Sequence, residues 1–320
     1  MAWVVEVPEE AAGARLDRVV AGLAGVSRRA IMQLIAAGKV TLNGHAATKG
    51  QTVQAGDRVE IAAELPTAEN LRPVPEPDLP LVVVHADGAI VVVDKAAGVP
   101  SHPLKPGERG TLAGALVARF SGCSSASPDP REGGLAHRLD TDTSGLLVAA
   151  RTRPAWDRLR AAFGTGAIEK QYLALVEGRP PERFSVEVPL AADPRDPRRV
   201  IVASGAAHRG RAQPAQTELS VAERIPGATL VRARAHTGHR HQVRVHLAHA
   251  GYPLIGDRLY GGPAPEVLVQ LGLNRHLLHA ARLDLPHPVS GERVVFETGV
   301  PDDFRIVMDA IWQQGGLTRR

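Results

Sequence analysis

The chain has 320 residues, room for one large folded unit and a small one, and its 44% hydrophobic share can build a real core. Aromatic residues make up only 3%, so the core must be mainly aliphatic, and reading single strands by stacking bases on many exposed rings is disfavoured. The formal net charge is a mild +4, and Cys123 is the lone cysteine, which excludes an intramolecular disulfide framework and any cysteine-based zinc site.

The N-terminus, MAWVVEVPEE, is acidic and lacks the charged-then-apolar order of a secretion signal. No apolar run approaches the ~18 residues of a membrane span. With the single cysteine, this leads us to expect a soluble cytoplasmic protein. Basic residues are nearly all arginine, with lysine only at Lys39, Lys49, Lys95, Lys105 and Lys170. Arginine offers phosphate a planar, two-pronged donor set, although an alanine- and arginine-rich coding bias gives the same composition.

Residues 12–63 read as a small α+β unit. Arg15–Ala24 and Ser27–Ala37 have helical patterns, the second capped by Ser27 and stopped at Gly38. Lys39-Val-Thr-Leu then leads into Asn43-Gly44, a tight-turn dipeptide, and a strand follows at Arg58–Ala62. Arg15, Arg18, Arg28, Arg29, Lys39, Lys49 and Arg58 outnumber Asp17, Asp57 and Glu60, an excess of +4 equal to that of the whole protein. That asymmetry favours a nucleic-acid-binding module.

Residues 64–80, ELPTAENLRPVPEPDLP, are proline-rich, acidic and aperiodic, and read as a stiff linker. From Leu81 to about residue 312 strands and helices return. Apolar runs at 81–84, 90–93, 145–150, 171–176 and 230–235 predict strands, and Pro154–Phe163 and Arg240–Ala250 predict helices, each followed by glycine. The Gly/Ser/Pro-rich stretch 121–134 reads as a loop, and the tail Gly315–Arg320 as disordered.

The stretch His137-Arg-Leu-Asp-Thr-Asp-Thr-Ser-Gly145 carries the most chemistry. It packs a histidine, an arginine and two carboxylates into a polar turn at a strand's mouth, where catalytic groups often stand. The plain alternative is that Asp140, Asp142 and Ser144 bond turn amides. Asp140-x-Asp142-x-Ser144-Gly145 also matches the opening of a calcium loop, but its twelfth position, which needs a bidentate glutamate, is Arg151. His236, His239, His241, His246 and His249 match no zinc pattern, so no metal is expected, and solvated or RNA-facing roles are the simpler reading. No Walker or Rossmann glycine pattern follows a predicted strand, so no nucleotide cofactor is expected.

H-R-L-D-x-x-T-S-G resembles the signature of the RluA-type pseudouridine synthases. Further blocks look like that family in the same order: Asp94-Lys-Ala-Ala-Gly98, Glu169-Lys-Gln-Tyr172, Thr237-Gly-His-Arg-His-Gln-Val-Arg244, Gly251-Tyr-Pro-Leu-Ile-Gly-Asp257 and Leu278-His-Ala280 with His287-Pro288. Residues 12–63 are similar to the small S-four-like RNA-binding domain that often precedes that catalytic domain. Two departures stand out: Ala96 occupies a usual proline position, and His239-Arg240 replaces a basic residue followed by a small or polar one.

The resemblance implies an α+β fold, a mixed, mostly antiparallel sheet with flanking helices and a central catalytic cleft over 81–312, tethered to the small basic domain. It implies that Asp140 acts as nucleophile or base, that Arg244 keeps it anionic, and that Tyr172 stacks on uracil and serves the final proton removal. Arg138 would fill the space left by the everted base, Leu278 would wall the uracil, and His137 would touch substrate. Arg15, Ser27, Arg28, Arg29 and Lys39 would grip RNA. The implied reaction is cofactor-free conversion of uridine to pseudouridine in structured RNA, with large-subunit ribosomal RNA favoured and transfer RNA the other candidate, by a monomer. A non-catalytic RNA-binding or assembly protein on the same scaffold is the alternative from another class.

Overall fold

The small unit begins at the first strand, β1 (Trp3–Glu6), followed by α1 (Leu16–Ala24), α2 (Arg28–Ala36), β2 (Val40–Leu42), β3 (His45–Ala46) and β4 (Arg58–Ile61). The computed structural model describes residues 3–314 except 66, 68, 69, 205–211 and 262–265, so the 315–320 tail lies outside the described residues. The four strands form an antiparallel sheet in the order β1-β4-β2-β3. Asn43 and Gly44 take φ of 52° and 82°, the left-handed pair that a two-residue hairpin between twisted strands requires. Ser27 accepts the Ala30 N–H and starts α2. The apolar faces of both helices, Leu16, Val20, Ile31 and Ile35, close on Val40, Leu42, Val59 and Ile61 of the sheet.

The large unit contains β5 (Val82–Ala86), β6 (Ile90–Lys95), α3 (Leu112–Arg119), α4 (Cys123–Ala126), β7 (Ser144–Ala150), α5 (Arg153–Gly164), β8 (Glu169–Glu177), β9 (Arg183–Glu187), β10 (Leu190–Ala192), β11 (Val200–Val202), β12 (Gln216–Ile225), β13 (Ala228–Ala235), α6 (Gln242–His249), α7 (Glu266–Gln270), β14 (Leu278–Pro286), β15 (Arg293–Glu297) and α8 (Asp302–Gln314). Nine of these strands form one mixed sheet in the order β5-β6-β7-β14-β8-β13-β12-β9, with β15 on β14. Only β7 and β14 run parallel within it. Strands β10 and β11 form a separate hairpin.

Strands β6 and β7 read as unbroken apolar runs because both of their faces are covered. Ile90, Val92, Leu146 and Val148 pack under Ala155 and Leu159 of α5, while Val91, Val93, Leu147 and Ala149 pack on Leu112 and Leu116 of α3. The stretch 121–134, expected as a loop, contains α4 with Cys123 and Ala126 fully buried. The end of the proline-rich segment is docked: Arg119 of α3 holds the carbonyls of Pro77 and Leu79, and of Leu81 just beyond it, and Glu76 accepts the Gly110 N–H. No single helix among the described residues is long and apolar enough to cross a membrane.

Candidate active site

The turn before β7 is fastened residue by residue. Leu139 exchanges hydrogen bonds with Ser101, its carbonyl accepting from Oγ and its N–H donating to Oγ. The Thr141 carbonyl accepts from the Gly98 N–H and from Lys95 Nζ. Arg275 donates to the Asp142 carbonyl, Thr143 Oγ1 meets His276 Nε2 at 2.8 Å, and Ser144 Oγ meets His279 Nδ1 at 2.9 Å. Arg275 is itself gripped through Nε and Nη2 by Asp303 at the start of α8. Leu139 and residues 141–144 are thus tied to the scaffold, and the Asp140 side chain faces the pocket.

Among the described residues Lys95 is the most deeply buried lysine or arginine, 1% exposed at the end of β6. Its Nζ donates at 2.8 Å to three carbonyls, those of Ala96, Val99 and Thr141, which match the three N–H bonds of an ammonium. Burial pushes its pKa down to about 7, against the pull of Asp142 and Asp140. Lys95→Met strands three buried acceptors and is expected to destabilise the protein by about 3 kcal/mol or more in urea unfolding. A loss under 1 kcal/mol would show that the turn does not depend on this knot.

Asp140 lines a cavity of about 460 Å³ with His137, Arg138, Tyr172, Arg244 and Leu278, so the pocket brings all six expected catalytic and substrate residues together. That volume suits a small ligand or a single everted nucleotide. Arg244, buried on α6, donates through Nη1 to Asp140 Oδ2 at 2.8 Å. Its Nε and Nη2 donate to Asp257, at 2.8 and 2.9 Å, in a bidentate pair. Asp257 also accepts the N–H groups of Leu259 and Tyr260.

In the acid range where Asp140 titrates, burial works against its charge, yet the carboxyl is held below its ordinary value by positive charge at His241, by the field and hydrogen bond of Arg244, and by His276. Burial pushes His241 down to about 4 and His276 to about 3. Near neutral pH both imidazoles are therefore uncharged, and the Arg244 guanidinium supplies the compensating charge. Tyr172, on β8, is pushed well above its ordinary pKa by burial and by the Asp140 charge, so it rests as an O–H. His137 accepts the Val148 N–H on Nε2, and its ring packs against Phe163, 4.7 Å between centroids. Arg138 is exposed on the pocket wall and makes no hydrogen bond to any described residue. Leu278, at 4% exposure, supplies an apolar surface at the start of β14.

The five residues expected to grip RNA are all exposed on the small unit, but not all are free. Arg15 and Arg28 share the buried carboxylate of Asp17, and the Ser27 hydroxyl is occupied in capping α2. Arg29 and Lys39 pair with no acidic side chain among the described residues. Among the histidines, His246 is fully buried between Thr217 and the Val188 carbonyl, so it is a core residue rather than a solvated or RNA-facing one. His239 and Arg240, the two departures from the family pattern, bind the carbonyls of Pro214, Pro197 and Arg199. Asp257, Tyr260 and the site role of His241 went unread in the sequence; the only signal was that Asp257 closes a motif block. Among the described residues no cluster of three or more histidine, cysteine or acidic side chains could hold a metal.

Residues 89–249 match the family described as RNA pseudouridylate synthase, and residues 14–59 match the S4 domain. The chain is 36% identical over 314 residues to a ribosomal large subunit pseudouridine synthase D of Xanthomonas campestris, an alignment covering 95% of this chain and 91% of that protein. It is 38% identical over 311 residues to an uncharacterized RNA pseudouridine synthase of Chloroflexus aurantiacus, covering 95% and 92%. Among solved structures it is similar to Human RNA Pseudouridylate Synthase Domain Containing 1, with a TM-score of 0.57 and 27% identity across 74% of this chain and 90% of that one.

Proposed function

The chain belongs to the RNA pseudouridylate synthase family and is an RNA pseudouridine synthase, and from that premise we propose that it isomerises uridines of large-subunit ribosomal RNA, with Asp140 as the reacting carboxylate. Membership sets aside the non-catalytic reading of the scaffold. The ribosomal target rests on relatives named as ribosomal large subunit enzymes, and a cytoplasmic location is the reading that such a target supports. The observation that carries the site is the 2.8 Å pair of Arg244 and Asp140 inside a cavity of nucleotide size.

The reaction conserves every atom of the substrate. The glycosidic N–C bond breaks, the uracil turns, a ring carbon bonds to the sugar, and that carbon's proton leaves for the ring nitrogen side. No redox equivalent or group donor is consumed, so no cofactor is called for. Asp140, kept anionic, attacks the sugar or removes a sugar proton. Tyr172, which lines the same pocket, stacks on the uracil in this reading and serves the final proton transfer. Leu278 forms the apolar floor, and Arg138, uncommitted and exposed, takes the place of the everted base. All of these groups come from one chain, so a monomer suffices.

Mapping pseudouridine in total RNA from cells with and without the gene tests the reading. Sites in large-subunit ribosomal RNA should revert to uridine. Unchanged ribosomal RNA with losses confined to transfer RNA would overturn the target assignment.

We assign the RNA grip to residues 12–63, joined through 64–80 to the catalytic unit at 81–312. Replacing Arg29 and Lys39 together by serine should weaken RNA binding and lower the salt slope of log K by roughly 1 to 2, about 0.9 for each phosphate no longer neutralised. Equal slopes for both proteins would remove these two side chains from the RNA interface.

A further inference from the structure

His241 has an unusual setting. It precedes α6 with φ 57° and ψ 15°, the left-handed region, and is one of two described non-glycine residues there. The other, Asn43, sits in a hairpin turn that asks for this conformation. His241 has no such local reason, and residues held in this region against their preference gather at functional sites. What the conformation achieves is the aim of the ring. Nε2 lies 3.7 Å from Asp140 Oδ2, and Nδ1 lies 2.7 Å from the hydroxyl of Tyr260.

Tyr260 points to which nitrogen carries the proton. Its oxygen already accepts the Val200 N–H, at 2.8 Å, from the start of β11. The hydroxyl's own hydrogen is therefore available, and His241 Nδ1 is the acceptor within reach. An imidazole that accepts on Nδ1 bears its hydrogen on Nε2, the nitrogen facing the carboxylate. The Tyr260 ring is fixed in turn, with the guanidinium carbons of Arg244 and Arg199 at 5.1 and 5.2 Å from its centroid.

Asp140 is consequently asymmetric. Arg244 Nη1 and His241 Nε2 both approach Oδ2, while no described residue donates a hydrogen bond to Oδ1. We propose that His241, held in its Nε2–H tautomer by Tyr260, is a positioning residue that together with Arg244 anchors Oδ2 and presents Oδ1 to the substrate. The separation of 3.7 Å is longer than a hydrogen bond, and such contacts commonly shorten when substrate fills a site. The hairpin of β10 and β11 takes part through Val200, so the loop that carries Arg195, Arg198 and Arg199 is joined by one tyrosine to the reacting carboxylate.

The inference rests on Asp140 being the reacting group, and its test separates the two. Long-range proton–nitrogen correlation spectra of the full-length protein, with His241 assigned through His241→Gln, report the tautomer without any reaction. We expect the Nε2–H form in the wild type and its loss or averaging in Tyr260→Phe, which removes one oxygen. Tyr260→Phe should lower kcat about tenfold with KM for RNA nearly unchanged, the scale of losing an orienting partner. His241→Gln, which keeps an N–H donor near the Nε2 position, should retain more activity than His241→Ala. An Nδ1–H tautomer in the wild type overturns the proposal, as does a Tyr260→Phe enzyme with wild-type kcat. Should Asp140→Asn stay active, the reading of Asp140 fails instead, whatever the tautomer.

Discussion

Asp140→Asn is expected to give a folded protein that still binds RNA but isomerises uridine more slowly by roughly 10³-fold or more, the range seen when a reacting side chain is removed. The amide has the shape of the carboxyl but neither its charge nor its basicity. Arg244 keeps its bidentate partner Asp257, so the substitution does not leave a buried guanidinium unpaired. The fold should therefore be spared, which makes the variant a test of chemistry. Single-turnover conversion of a ribosomal RNA fragment, alongside binding of the same fragment, reads both quantities. A rate within tenfold of wild type would remove Asp140 from the reaction.

Gly145→Ala should be nearly as damaging through the backbone alone. Gly145 follows Ser144 in the parallel pairing of β7 with β14 and stands opposite Ala280, at φ 114°. A Cβ there would meet the Ala280 backbone, with its nitrogen at 2.5 Å and carbonyl carbon at 2.7 Å, and also its oxygen. Neither strand can yield, because Ser144 and the residues before it are bonded into the turn. Overpacking and backbone strain together are expected to cost roughly 3 kcal/mol or more. For a chain of this size that lowers the melting temperature by on the order of 10 °C, with activity lost as the turn shifts. Gly22→Ala, in α1 with nothing near the added methyl, serves as the control and should be neutral or slightly stabilising. A Gly145→Ala protein as stable as that control would mean the two strands are not packed as described.

The small unit was largely legible because its signals are local. Caps, a tight-turn dipeptide and two amphipathic helices follow from neighbouring residues. Strands β6 and β7 were legible as apolar runs. Strands β9, β12, β14 and β15 were not singled out: Gln216-Thr-Glu-Leu-Ser mixes polar and apolar residues, and its place in the sheet depends on β9 and β13 rather than on itself. Asp140, Arg244 and Tyr172 came from motif resemblance; their composition and spacing alone do not bring residues 140, 172 and 244 to one cavity. Asp257, His241 and Tyr260 were opaque for the same reason. An acidic residue after a glycine looks like any turn, and only the fold puts it against Arg244. The buried Lys95 is the sharpest case, since a lysine after an apolar strand ordinarily marks the strand's exit to solvent.

The fasteners of the turn arrive late in the chain. Residues 138–144 emerge during synthesis well before Arg275, His276 and His279, and before Asp303, which steadies Arg275. Until that C-terminal stretch has docked, the polar turn lacks half of its anchors, and the parallel seam between β7 and β14 cannot close. Pairings so distant in sequence are slow to form. A polypeptide lacking residues 275–303 would therefore lack these fasteners, and its polar turn is expected to be less ordered than in the full chain.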